Sequence, residues 1–190
     1  MQEKIYKKKL LFNSNKGMTL VEILITVSLF TILGTMMILS VANGKNFLEY
    51  NQVQNDLQEN MRLASDWIKE DLRQASSSSI LDVPAHKNKW YSTITFRTPT
   101  GIDSNGNLVW PTETIQYDLG GKSSTDLLRT IEDGVTVISQ RTIVENISLI
   151  QFRRVLEVPE VVEVQIQGQK KVFGKNTISM NTSFKVRVRN

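Results

Sequence analysis

The sequence predicts an α+β protein. One long N-terminal helix, membrane-spanning in its first half and amphipathic in its second, packs on antiparallel β-sheet. Three observations predict this. Met18–Asn43 is an apolar run with a single charge, Glu22. From Phe47 to Ala75 the apolar residues recur at helical spacing. After Ile80 that period gives way to short alternating segments separated by turn residues.

The first seventeen residues are basic. They hold five lysines (Lys4, Lys7, Lys8, Lys9, Lys16) against one acid, Glu3, so the whole formal charge of +4 sits there. The remaining chain is formally neutral, which argues against a general phosphate- or nucleic-acid-binding face. A positive flank before an apolar run reads as a topology signal retained in the cytoplasm. With no cysteine, disulfides, thiolate metal sites, a Cys nucleophile and a lipidated Cys are excluded.

The 21 uncharged residues Ile23–Asn43 would span roughly 30 Å as a helix, one hydrocarbon core. A plain anchor explains the length. A cleaved secretory signal explains the small residues Ser40-Val41-Ala42, although the apolar stretch is long for one. Neither explains Glu22, since a carboxylate at mid-bilayer costs on the order of 2.5–3.5 kcal/mol. Even near the interface, where it could snorkel to water, it asks for a reason.

Lys16-Gly17-Met18-Thr19-Leu20-Val21-Glu22 followed by an apolar helix resembles the cleavage and methylation motif of type IV prepilins and type II secretion pseudopilins. The resemblance covers roughly residues 14–43. It implies that Gly17 is the last leader residue, cut on the cytoplasmic side by prepilin peptidase. Met18, where the family usually has Phe, would become the N-methylated terminus, and Glu22 matches the family's signature acid. A paired buried charge is tolerable where an unpaired one costs several kcal/mol. Glu22 neutralising a neighbour's terminal amine would therefore favour assembly. No proline lies between Met18 and Asp82, so the helix-loosening proline of many major pilins is missing. Gly34 is the interior candidate for flexibility or close helix packing.

The amphipathic half carries Phe47, Tyr50, Val53, Leu57, Met61, Ala64, Ile68, Leu72 and Ala75 on one face, which reads as core. Lys69, Glu70, Asp71 and Arg73 read as a solvated face. A soft break is expected near Asn43-Gly44, and the helix should end in Ser76–Ser79. MRLASDWIKEDLRQA (residues 61–75) is similar to the helix of J-type minor pseudopilins and W-type minor pilins.

Seven strands are expected beyond Ile80: Trp90–Arg97, Thr114–Leu119, Leu127–Ile131, Val135–Ser139, Ile147–Val155, Val161–Gln167 and Ile178–Arg189. Turns are expected at residues 99–101, 104–107, 120–121, 133–134 and at Gly168. No βαβ alternation occurs, which disfavours a dinucleotide-binding fold. The strand order also resembles the pilin fold and those minor subunits.

Catalytic signals are missing. His86 is the only histidine, and there is no G-x-S-x-G, H-E-x-x-H or P-loop, so any assembly ATPase is a separate protein. Asp103, Asn105 and Asn107 alternate like the start of a calcium loop, but Leu108 and Thr114 stand where an EF-hand wants Gly and Glu, and Asn105-Gly106 favours a hairpin. Trp67, Trp90 and Trp110 read as core or half-buried sheet before interface anchors.

The expectation is a pilin-like, non-enzymatic subunit without cofactor or metal. It divides into a leader (1–17), a spanning and assembly half-helix (18–43), an amphipathic half-helix (44–79) and a β domain (80–190). Its implied setting is the cytoplasmic membrane, N-terminus inside and β domain outside, then a pilus or pseudopilus. Implied partners are prepilin peptidase and other pilin-like subunits. A DNA-uptake pseudopilin and a plain membrane-anchored binding domain stand as alternatives.

Overall fold

The structure is a computed structural model, and it describes residues 18–85, 87–172 and 176–189. One helix, α1 (Leu20–Gln74), precedes nine strands. The chain divides into two compact units, Met1–Lys45 and Asn46–Asn190.

In the first unit, α1 exposes nearly every side chain, including Leu24, Phe30, Leu33 and Met37. Such an apolar surface has no place in water, but it suits a helix long enough to cross a bilayer. Its hydroxyls are satisfied internally. Thr26, Ser28, Thr31, Thr35 and Ser40 each donate to the carbonyl four residues back, at 2.7–2.9 Å. In lipid, where no water could accept those bonds, this makes a run containing five hydroxyls tolerable. The break expected at Asn43-Gly44 does not occur, because both residues are helical. One glycine costs about 1 kcal/mol, too little to interrupt a cooperative helix.

In the second unit the helical stripe meets sheet on its buried side. Leu57, Met61, Ala64, Ile68, Leu72 and Ala75 are buried, as the spacing predicts. Phe47 and Tyr50 are exposed and Val53 is half-buried, against expectation. The sheet rim reaches α1 at Asp56, which pairs with Lys170 at 3.0 Å, and the stripe is covered only from Leu57 onward. Asp71 is a second correction: it is buried, not part of the solvated face.

Two antiparallel sheets supply the covering layer. One has the order β1 (Ile94–Phe96), β4 (Glu113–Gly120), β5 (Asp126–Asp133), β6 (Thr136–Val144). The other runs β7 (Ile147–Val155), β8 (Val158–Val172), β9 (Asn176–Arg187). Alternation does what it should: Val162, Val164, Ile166 and Gly168 of β8 turn inward while their neighbours do not. The core joins Ile68 and Leu72 of α1 to Phe96, Tyr117, Phe152 and Val164.

Three sheet details differ from the expectation. Trp90–Arg97 shortens to Ile94–Phe96, with Tyr91 making an isolated bridge to Phe152. The hairpin that Asn105-Gly106 favours is present, but its two short strands, β2 (Gly101–Ile102) and β3 (Leu108–Val109), were not among the strands expected. Gly168 is no turn but an inner-face residue of β8, paired with Ile147 and Met180. A Cβ there would stand 2.8 Å from Leu57 Cδ1 and 2.9 Å from Met61 Sδ. Glycine is what lets strand and helix approach so closely.

After α1 the chain makes a 3₁₀ turn, Ser77–Ser79, capped by Ser76. The segment after β9 returns here: Arg189 N–H donates to the Ala75 carbonyl and Ser77 N–H to the Arg189 carbonyl.

Candidate functional site

The site the sequence singles out begins where α1 begins. Gly17 and the leader lysines lie outside the described residues. Met18 is exposed, and Thr19 precedes the first helical residue, Leu20. Thr19 N–H donates to Glu22 Oε2 at 2.8 Å and the Thr19 hydroxyl donates to the same oxygen at 3.0 Å. In return, Glu22 N–H donates to Thr19 Oγ1 at 3.2 Å. This is a reciprocal capping box, which satisfies helix-terminal donors with side chains of the same turn. It also holds the carboxylate back toward Met18, at the end of the helix where the backbone dipole favours negative charge. Thr19 is a residue the sequence reading passed over. Its signal, Thr-x-x-Glu before an apolar run, was there to be found.

The other candidates separate. His86 lies outside the described residues. Asp103 closes the β2–β3 turn: its Oδ1 accepts from the N–H groups of Asn105 and Asn107, both at 2.8 Å. The Asn107 N–H leads the causes that hold this carboxyl below the usual carboxylate range. Its Oδ2 accepts from the Asn107 side-chain amide at 3.3 Å, so both carboxylate oxygens a cation would need are already engaged within the turn. No cluster of three or more metal-ligating His, Cys, Asp or Glu side chains occurs among the described residues.

No tryptophan joins the buried core. Trp67 and Trp110 are about one-third exposed. Arg141 and Arg129 approach the Trp67 ring at 5.4 and 6.0 Å, and Arg153 lies 4.5 Å from the Trp90 ring. Several basic side chains of the β region are engaged individually. Arg153 bonds Glu163, Lys170 bonds Asp56 and Arg187 bonds Glu160. Arg154 is buried, donates to the Pro159 carbonyl and Ser77 hydroxyl, and has its pKa pushed down by burial.

One polar cluster escaped the sequence reading. Asp71 Oδ2 accepts from the Tyr117 hydroxyl and from Arg129 Nε, both at 2.7 Å. Tyr117 and Arg129 are cross-strand partners on β4 and β5. Burial, then the neighbouring carboxylate, holds the Tyr117 phenol far above its ordinary pKa, so it remains a donor. Burial alone would lower the Arg129 pKa, but its hydrogen bond and attraction to Asp71 outweigh that and raise it. The cluster ties α1 to β4 and β5.

Residues 12–38 match the family model for the prokaryotic N-terminal methylation motif. The motif indicates a type IV pilin-like protein processed by prepilin peptidase, and it spans Gly17, Met18, Thr19 and Glu22. Such proteins are structural rather than catalytic and assemble with other pilin subunits. The long apolar helix fits a single-pass membrane anchor. No curated protein and no solved structure matches the chain.

Proposed function

We propose that this chain is the precursor of a minor pilin-like subunit. Prepilin peptidase cuts after Gly17 and Met18 is N-methylated. The basic leader stays in the cytoplasm, the span crosses the membrane, and the second unit stands outside. Subunits then pack side by side through their apolar helices, driven by a separate ATPase. The destination is a type II secretion pseudopilus or a type IV pilus, at or near its tip. A competence pseudopilus serving DNA uptake uses the same helix physics.

One observation carries the reading: within the matched motif, the only acid of the exposed apolar run Met18–Asn43 is held toward Met18 by Thr19. Cleavage would create an ammonium at Met18. In a helical array, Glu22 of one subunit exchanges its Thr19 partner for the ammonium of a neighbour. Exchange between two satisfied states avoids an orphaned carboxylate in lipid.

The test is the N-terminal residue and intact mass of the protein extracted from its native membrane. A chain beginning at N-methylated Met18 supports the proposal. A start at Met1 makes it a plain anchored domain, and a start at Asn43 a secreted one; either result overturns it.

A further inference from the structure

The four outer strands of the two larger sheets differ in how their free edges are treated. β1 is shielded where Leu81 N–H bonds the Thr95 carbonyl, and β7 where Tyr91 and Phe152 exchange backbone hydrogen bonds. The register between β5 and β6 shifts at two places, which twists that edge away from further pairing. β9 has neither kind of protection over most of its length. Its register with β8 is unbroken from Val161↔Arg187 to Val172↔Asn176. Asn176–Phe184 contains no charge and no proline. Only past Arg187, where Arg189 meets Ala75 and Ser77, is this edge occupied among the described residues.

A groove of about 330 Å³ runs between this edge and α1. Met61 and Met180 line it with apolar surface, and Met180, Asn181 and Thr182 form its strand side. Arg62 and Lys69 stand on the helix side with one acid, Asp66. Lys69 Nζ is 4.0 Å from Asp66 and lies over the Phe184 ring at 4.7 Å. The groove therefore offers unpaired strand backbone, an adaptable methionine floor and an excess of positive charge.

We infer that β9 receives an extended segment of another polypeptide that carries carboxylates and adds as a further strand in the groove beside α1. Backbone pairing supplies the affinity, and Arg62 and Lys69 select for acidic side chains. A second copy of this chain is a poorer occupant through the same edge. Asn176–Arg187 brings Lys185 and Arg187 and no acid to a groove that is already cationic.

The full-length chain in detergent micelles is titrated with a short fluorescein-labelled peptide of alternating valine and threonine bearing two glutamates. The control peptide has lysines in their place. The glutamate peptide should bind, and should slow amide hydrogen exchange at Met180–Thr182. The lysine peptide should not bind. Arg62 is exposed, so Arg62→Glu should fold normally and weaken binding at least about tenfold. Equal binding of the two peptides, binding of neither, protection confined to other strands, or no effect of Arg62→Glu overturns the proposal. So does self-association of the free chain that itself protects Met180–Thr182, which would make a second copy the occupant.

Discussion

Replacing Asp71 by alanine tests how the helix is bonded to the sheet. The side chain is 9% exposed and accepts two bonds of 2.7 Å, one from the Tyr117 hydroxyl and one from Arg129 Nε. Losing a charge-assisted hydrogen bond costs about 1.5–3 kcal/mol, and leaving a buried hydroxyl without a partner about 1–3. Two effects reduce the sum. The Arg129 side chain keeps 20% exposure and can recover some hydration. Alanine is also a better helix former than aspartate by up to about 0.7 kcal/mol. The net expectation is a loss of about 3 kcal/mol. Tyr117→Phe, which removes only the hydroxyl, should cost about 1 kcal/mol. The Asp71→Ala, Arg129→Ala double variant should be less destabilised than the two singles together, because neither charge is then left alone. Equilibrium urea unfolding of the full chain in micelles measures all three. Trp67, close to Arg129, gives the fluorescence signal. An Asp71→Ala cost below about 1 kcal/mol, or strict additivity in the cycle, would refute the account of this cluster.

Four further outcomes are expected. Gly168→Ala must displace Leu57 or Met61 and should destabilise by about 1–3 kcal/mol in the same unfolding assay. Asp118 has its pKa raised, first by burial and then by Glu132, and its Oδ1 is buried without a hydrogen-bond partner. A carboxyl raised in the folded state favours folding below its unfolded pKa and loses that contribution as pH rises through the folded value. Asp118→Asn should therefore raise the melting temperature at neutral pH and leave it nearly unchanged near pH 3. Glu22→Ala should still be inserted and cleaved but should fail to enter filaments; normal filament recovery by shearing and immunoblot would remove the charge-pairing argument. Thr19→Val should leave cleavage intact, since the carboxylate remains, yet lower the filament fraction on the same blot less than Glu22→Ala does.

The helix and most strands were legible because they rest on local periodicity. Ile147–Val155 is bounded as the alternation predicts, and the glycines at 106, 121 and 134 take the positive φ that turns require. What escaped depends on residues far apart in the chain. Asp71 reads as surface from its own helix, because nothing nearby announces that Tyr117 and Arg129 will converge on it. Gly168 reads as a turn because glycine in a strand gives the same local signal whether the chain bends or a helix comes close. At the N-terminus the reading of Glu22 came from its lone charge in an apolar run and from the resemblance carried by Lys16–Glu22. The partner that orients it, Thr19, sits three residues away in a pattern general to helix starts.

The meeting of Arg189 with Ala75 and Ser77 has a consequence for the order of events during biogenesis. Synthesis makes α1 well before β9. The stripe from Leu57 to Ala75 therefore waits, uncovered, for strands encoded far downstream. Such long-range closure is slow compared with helix formation. The final backbone bonds to the helix end form only after the whole β region has been made. A chain interrupted before its closing strand would present bare apolar helix and unpaired β8, the surfaces that quality-control proteases and chaperones recognise. Synthesis of β9 is thereby coupled to the disappearance of that signal.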